Sequence, residues 1–75
     1  MYQRIRDLRE DKDLTQTDIA KILNMSQTGY SQYETGKNDV PTLVLKKLAI
    51  YYNTSIDYIL ELTDNSAPYE RKRSR

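Results

Sequence analysis

Apolar side chains return at helical intervals along most of the chain, and residues that cap or stop helices stand between the sets. Tyr2, Ile5 and Leu8 recur at i, i+3 and i+6, which predicts an amphipathic helix with Arg4, Arg6, Asp7 and Glu10 on its wet side. It stops near Lys12 and Asp13. Thr15 is a good N-cap, and Asp18 stands three residues later, where a capping box places Glu or Gln. A second helix therefore starts here and buries Ile19, Ala20 and Leu23. Asn24 tolerates the left-handed backbone with which helices commonly stop, and Ser26 offers a fresh N-cap two positions on. The third helix runs from Gln27 to Tyr33 or Glu34, with Met25, Tyr30 and Tyr33 inward and Gly36 just past its end. Pro41 suits the first turn of a fourth helix, which carries the stripe Leu45, Leu48, Ala49 and Tyr52. Asn53 repeats the stop, Ser55 repeats the cap, and Ile56, Ile59 and Leu60 mark a short fifth helix with Asp57 near its positive end. From Thr63 the apolar pattern disappears, and the polar run to Arg75 is expected to be mobile.

The prediction is an all-α, five-helix domain over residues 1–62 with a basic tail over 63–75. At 75 residues there is room for one core only. Without Cys, neither a disulfide framework nor a thiolate metal site can form, and without His the commonest general base and metal ligand are missing. No catalytic residue, metal or cofactor is therefore expected. No apolar run approaches the roughly 18 to 20 residues of a membrane span, and the first residues lack the apolar run of a secretory signal, so a cytoplasmic protein is expected. Charge alone does not point to nucleic acid. The net charge is +1, but Arg71, Lys72, Arg73 and Arg75 supply four of the basic residues, which leaves the preceding 70 residues at −3.

Local pattern is more informative. Two short, freshly capped helices joined by Asn24 and Met25 satisfy the geometry of a helix-turn-helix. The outer face of the second holds Gln27, Thr28, Gly29, Ser31 and Gln32, where an exposed helix chosen for solubility usually carries Lys and Glu. Gln can meet adenine N6 and N7 together, and Thr and Ser can meet several base edges or phosphates. The competing reading is an ordinary neutral surface. Gly29 has two readings as well, close approach of a DNA backbone or a tolerated weak position in the helix.

The run Leu14-Thr15-Gln16-Thr17-Asp18-Ile19-Ala20, then Ser26 to Lys37 with its Tyr33-Glu34-Thr35-Gly36-Lys37, then Pro41-Thr42-Leu43, Leu48-Ala49 and Ser55-Ile56-Asp57-Tyr58-Ile59-Leu60, resembles the phage-repressor and Cro type helix-turn-helix family, also called XRE. The likeness spans residues 2–62. It implies a lambda-repressor-like DNA-binding fold in which Gln16 bonds a phosphate and braces the start of the recognition helix. Gln27, Thr28 and Gln32 would be base-reading, while Ser31, Lys37 and Asn38 would face phosphates. It also implies a structural ion pair between Glu34 and Arg9. The chain departs from the family pattern at Asp13, Asn24 and Asn53, where many relatives carry Gly, and at Tyr30, where an aliphatic residue is frequent. Tyr30 is expected either to pack as plain core or to bring its hydroxyl to the surface.

Proteins of this type gain specificity by dimerising on half-sites about 34 Å apart, so a homodimer on double-stranded DNA is expected. Val44, Tyr51, Tyr58 and Leu62 remain apolar after the core stripes are assigned and are the candidate dimer interface. The terminal Glu70 to Arg75 is either solvated or laid along a groove, where its cations would strengthen binding in a salt-dependent way. The implied function is transcriptional regulation, as a repressor reading a short inverted repeat. Activation, an antitoxin role, or a pure protein-interaction module would use the same scaffold. An enzyme is the weakest class, because no nucleophile and base can be placed together.

Overall fold

The computed structural model describes residues 3–68, and the expectations for Tyr2 and for Glu70 to Arg75 fall outside them. Five helices follow in chain order: α1 (Gln3–Asp11), α2 (Gln16–Ile22), α3 (Gln27–Thr35), α4 (Thr42–Tyr51) and α5 (Ile56–Ile59), with no strand among the described residues.

Side-chain caps start three of them. Thr15 Oγ1 accepts from the Asp18 N–H at 3.1 Å while Asp18 Oδ2 accepts from the Thr15 N–H at 3.0 Å, so an Asp completes the capping box that opens α2. Ser26 Oγ accepts from the Gly29 N–H at 3.1 Å and Ser55 Oγ from the Tyr58 N–H at 3.0 Å, which open α3 and α5. Pro41 stands one place earlier than expected. It occupies the cap of α4 in extended backbone, with no side-chain cap bond, and its carbonyl accepts the Leu45 N–H at 3.0 Å.

The helix ends share one closure. Asp13, Asn24 and Asn53 adopt φ of 56°, 58° and 54°, and Glu61 joins them at 62°. At each, the following N–H reaches back five residues: Leu14 to Arg9, Met25 to Ala20, Thr54 to Ala49 and Leu62 to Asp57. Gly36 closes α3 in the same left-handed region at φ 81°.

Ile5, Ile19, Tyr30, Leu48 and Ile59 are fully buried, one from every helix, and Ala20, Leu23, Val40, Leu45, Ala49 and Tyr52 complete a single core. The Tyr30 hydroxyl does not reach the surface. It lies buried beside the Glu34 carboxylate without hydrogen-bond geometry, and burial followed by that negative neighbour pushes its pKa upward.

Arg4, expected on the wet side of α1, instead lies across α5 and the segment after it. Its Nη1 donates to the carbonyls of Tyr58 (2.9 Å) and Thr63 (2.6 Å), its Nη2 to Asp64 (2.9 Å), and its guanidinium sits 4.1 Å over the Tyr58 ring. Thr54 Oγ1 donates to the Ser66 carbonyl at 2.7 Å. Residues 63–66, which carry no apolar stripe, are thus held by polar bonds to the helical body.

Candidate nucleic-acid interface

The N-cap of Ser26 and the left-handed closure at Asn24 set α3 across α2 with its first turn outward. Gln27 and Thr28 are exposed there, whereas Ser31 and Gln32, one turn further on, are half-buried. Lys37 and Asn38 stand exposed just beyond the helix. Asn38 is tied back to α3 twice: its Nδ2 donates to Gln32 Oε1 at 2.6 Å, and its backbone N–H to the Gln32 carbonyl at 3.1 Å. The six residues therefore form one polar edge, running along α3 and into the following turn.

A hydrogen-bonded chain supports that edge from below. Arg9 on α1 donates Nε to Glu34 Oε2 at 2.7 Å and Nη2 to Oε1 at 3.1 Å, a bidentate pair whose side chains are 12% and 5% exposed. Arg9 Nη1 also donates to the Leu14 carbonyl at 2.8 Å, so one guanidinium joins α1, the turn before α2 and α3. Gln16 donates Nε2 to Glu34 Oε1 at 3.1 Å and accepts at Oε1 from Gln27 Nε2 at 2.9 Å. Burial pushes the Glu34 carboxyl up, but the hydrogen bonds from Arg9 and Gln16 outweigh it and hold the group below its ordinary value. Arg9 is correspondingly raised by its hydrogen bond to Glu34. Gln3, Arg6 and Thr35 line an open depression with Arg9, Gln16 and Glu34, beside the start of α2.

Gly29 answers to a constraint that neither sequence reading weighed. A Cβ there would stand 3.1 Å from Ser26 Oγ and 3.2 Å from Met25 Cε, so the missing side chain leaves room for the cap that opens α3.

The four apolar interface candidates separate. Leu62 (71% exposed) and Tyr51 (40%) are open to solvent. Val44 is half-buried against the core, and Tyr58 is half-buried with Arg4 stacked on its ring. Leu43 (62%) and Ile50 (61%) are exposed seven positions apart on α4 and were missed. The i, i+7 spacing opposite the core stripe was the available signal. Among the described residues no group of His, Cys, Asp and Glu could hold a metal ion, and no helix is long and apolar enough to cross a membrane.

The profile of the helix-turn-helix family matches residues 5–59, from the core of α1 to the end of α5. The uncharacterized HTH-type transcriptional regulator YobD of Bacillus subtilis (strain 168) is 40% identical over 74 residues, which cover 96% of this chain and 66% of YobD. The ImmF control region 10 kDa protein of Bacillus phage phi105 is 38% identical over 60 residues, 80% of this chain and 66% of that protein. The HTH-type transcriptional repressor RghR of Bacillus subtilis (strain 168) is 35% identical over 80 residues, 93% of this chain and 58% of RghR. The chain thus spans about two thirds of these relatives or less. No solved structure gives a significant match. The matched profile covers both helices of the motif, their caps and the Arg9–Glu34 pair, and the chain belongs to the helix-turn-helix family, in its phage-repressor and Cro, or XRE, type.

Proposed function

We propose that the chain binds double-stranded DNA sequence-specifically through α3 and regulates transcription in the cytoplasm, as a repressor that occupies a short inverted repeat as a homodimer. The observation that carries this reading is the uncharged hydrogen-bonding edge of α3, set on a helix braced by a buried ion pair. Gln27, Thr28 and Gln32 meet base edges in the major groove, and Gln16, Ser31, Lys37 and Asn38 meet phosphates that set the register. An interaction module would present aromatic or aliphatic anchors on this face instead, and the edge has none. Occupancy of a promoter by a domain of this size acts most simply by blocking polymerase. The similarity to a protein named a transcriptional repressor favours that sign of regulation. The exposed Leu43, Ile50, Tyr51 and Leu62, with Val44 and Tyr58 at their margin, supply the dimer surface.

Selection of bound duplexes from a random pool tests the reading, run with the wild type and with a folded Gln27→Ala, Gln32→Ala double variant. The wild type should recover a palindromic consensus that the variant blurs or loses. A folded wild type that enriches nothing above background across a range of salt would overturn it.

A further inference from the structure

Base readout by a long side chain has an entropic cost. A glutamine that samples many rotamers must give them up at the base edge, so one already held in place discriminates better. The end of α3 supplies such a hold. Gly36 turns the backbone left-handed, and the N–H that closes the turn belongs to Asn38, two places on, whereas at the other stops it belongs to the next residue. It meets the Gln32 carbonyl at 3.1 Å, six residues back. The Thr35 hydroxyl donates to the same carbonyl at 3.3 Å. This closure lays residue 38 over residue 32, and their side chains meet, Asn38 Nδ2 donating to Gln32 Oε1 at 2.6 Å.

The side-chain contact is not needed to close the helix, because the backbone of Asn38 and the Thr35 hydroxyl already satisfy the Gln32 carbonyl. What it holds is the far end of Gln32, half-buried on the polar edge of α3. Turning both amides over together would keep the tie. One end of the Gln32 amide is committed to Asn38, which leaves the other end for a base. Asn38 Nδ2 keeps a second N–H for the phosphate contact proposed above.

We infer that Asn38 is a positioning residue for sequence readout: its side chain, brought back over α3 by the closure at Gly36, holds Gln32 in the conformation that meets its base pair. The inference rests on the DNA-reading role proposed for α3. A phosphate contact strengthens binding to every sequence alike, whereas a brace on Gln32 sharpens one base pair.

Duplex selection on the intact chain separates the two, with the wild type, Asn38→Ala, Gln32→Ala and the double variant each shown by melting to be folded. Asn38→Ala keeps the backbone bond to Gln32. At the base pair that Gln32→Ala blurs, it should cut discrimination by roughly three- to tenfold, leave the pair read by Gln27 sharp, and cost nothing further once Gln32 is gone. Uniform weakening at all pairs, or an equal loss with and without Gln32, would make Asn38 a phosphate contact alone and overturn the inference with the DNA reading intact. A Gln32→Ala variant as selective as the wild type would also overturn it. A wild type that enriches no sequence would instead overturn the DNA reading and this inference together. In the free protein, NMR couplings should show a single χ1 rotamer for Gln32 in the wild type and averaging in Asn38→Ala. Averaging already present in the wild type would overturn the brace, and that measurement decides alone should the variants fail to fold.

Discussion

Glu34 accepts hydrogen bonds from α1 and α2 with its side chain only 5% exposed, so removing a partner strands a charge that water barely reaches. Glu34→Ala is expected to cost about 3 to 5 kcal/mol in urea unfolding, in line with the loss of one member of a buried pair. The acid dependence has a definite sign. The folded carboxyl titrates below its ordinary value of 4.5, so the stability it contributes is present above that pH and is lost as pH falls through the lower, folded value. Urea melts of the wild type from about pH 6 to pH 3 should therefore steepen below the ordinary value, and Glu34→Gln should flatten that limb. An unchanged limb would assign the acid loss to other carboxylates. Binding defects at Arg9 and Glu34 must accordingly be read beside a melt. At this scale local pattern revealed only part of the site. The outward position of Gln27 and Thr28 followed from helical phase, and the Arg9–Glu34 pairing was suggested only by the resemblance. Arg4 was misplaced because its acceptors lie 54 to 60 residues further on, and no spacing rule relates residues so distant.

The starts of α2 to α5 and the stops of α1 to α4 fell within two residues of expectation, because caps and left-handed stops are local chemistry. A Ser or Thr oxygen meets an N–H three residues on whatever the rest of the chain does. Glu61 was not foreseen. Glu lacks the short polar side chain that eases Asn and Asp into the left-handed region, and the position is forced on it by the closure of α5, where the Leu62 N–H reaches the Asp57 carbonyl at 2.8 Å. Glu61→Gly should relieve this and stabilise the domain by about 1 kcal/mol, whereas Asn53→Gly should be near neutral, since the gain in backbone freedom also favours the unfolded chain. Thermal melts of the two variants side by side check the contrast. Equal shifts would mean that the backbone at Glu61 carries no strain.

On the scale of the whole molecule, the surface left over after folding could be named from the sequence but not mapped. Val44 and Tyr58 look free on a helical wheel, yet the core takes part of one and Arg4 covers the other, which only tertiary packing decides. Leu43, Ile50 and Leu62 remain as the most exposed apolar side chains. An Ile50→Lys, Leu62→Lys variant is expected to fold, to bind a single half-site, and to lose the cooperative filling of an inverted repeat; band-shift stoichiometry with half and full sites measures this. Full-site occupancy as tight as that of the wild type would place the dimer contact elsewhere. The Arg4 clamp has a consequence for biogenesis. Of the five helices α1 is the first to leave the ribosome, yet the carbonyl of Thr63 and the carboxylate of Asp64 that secure it emerge only after all five have been made. Until then Arg4 can hold only the Tyr58 carbonyl and ring, so a message broken off before Thr63 yields a product whose opening helix keeps its core contacts but lacks two of the three hydrogen bonds of that clasp.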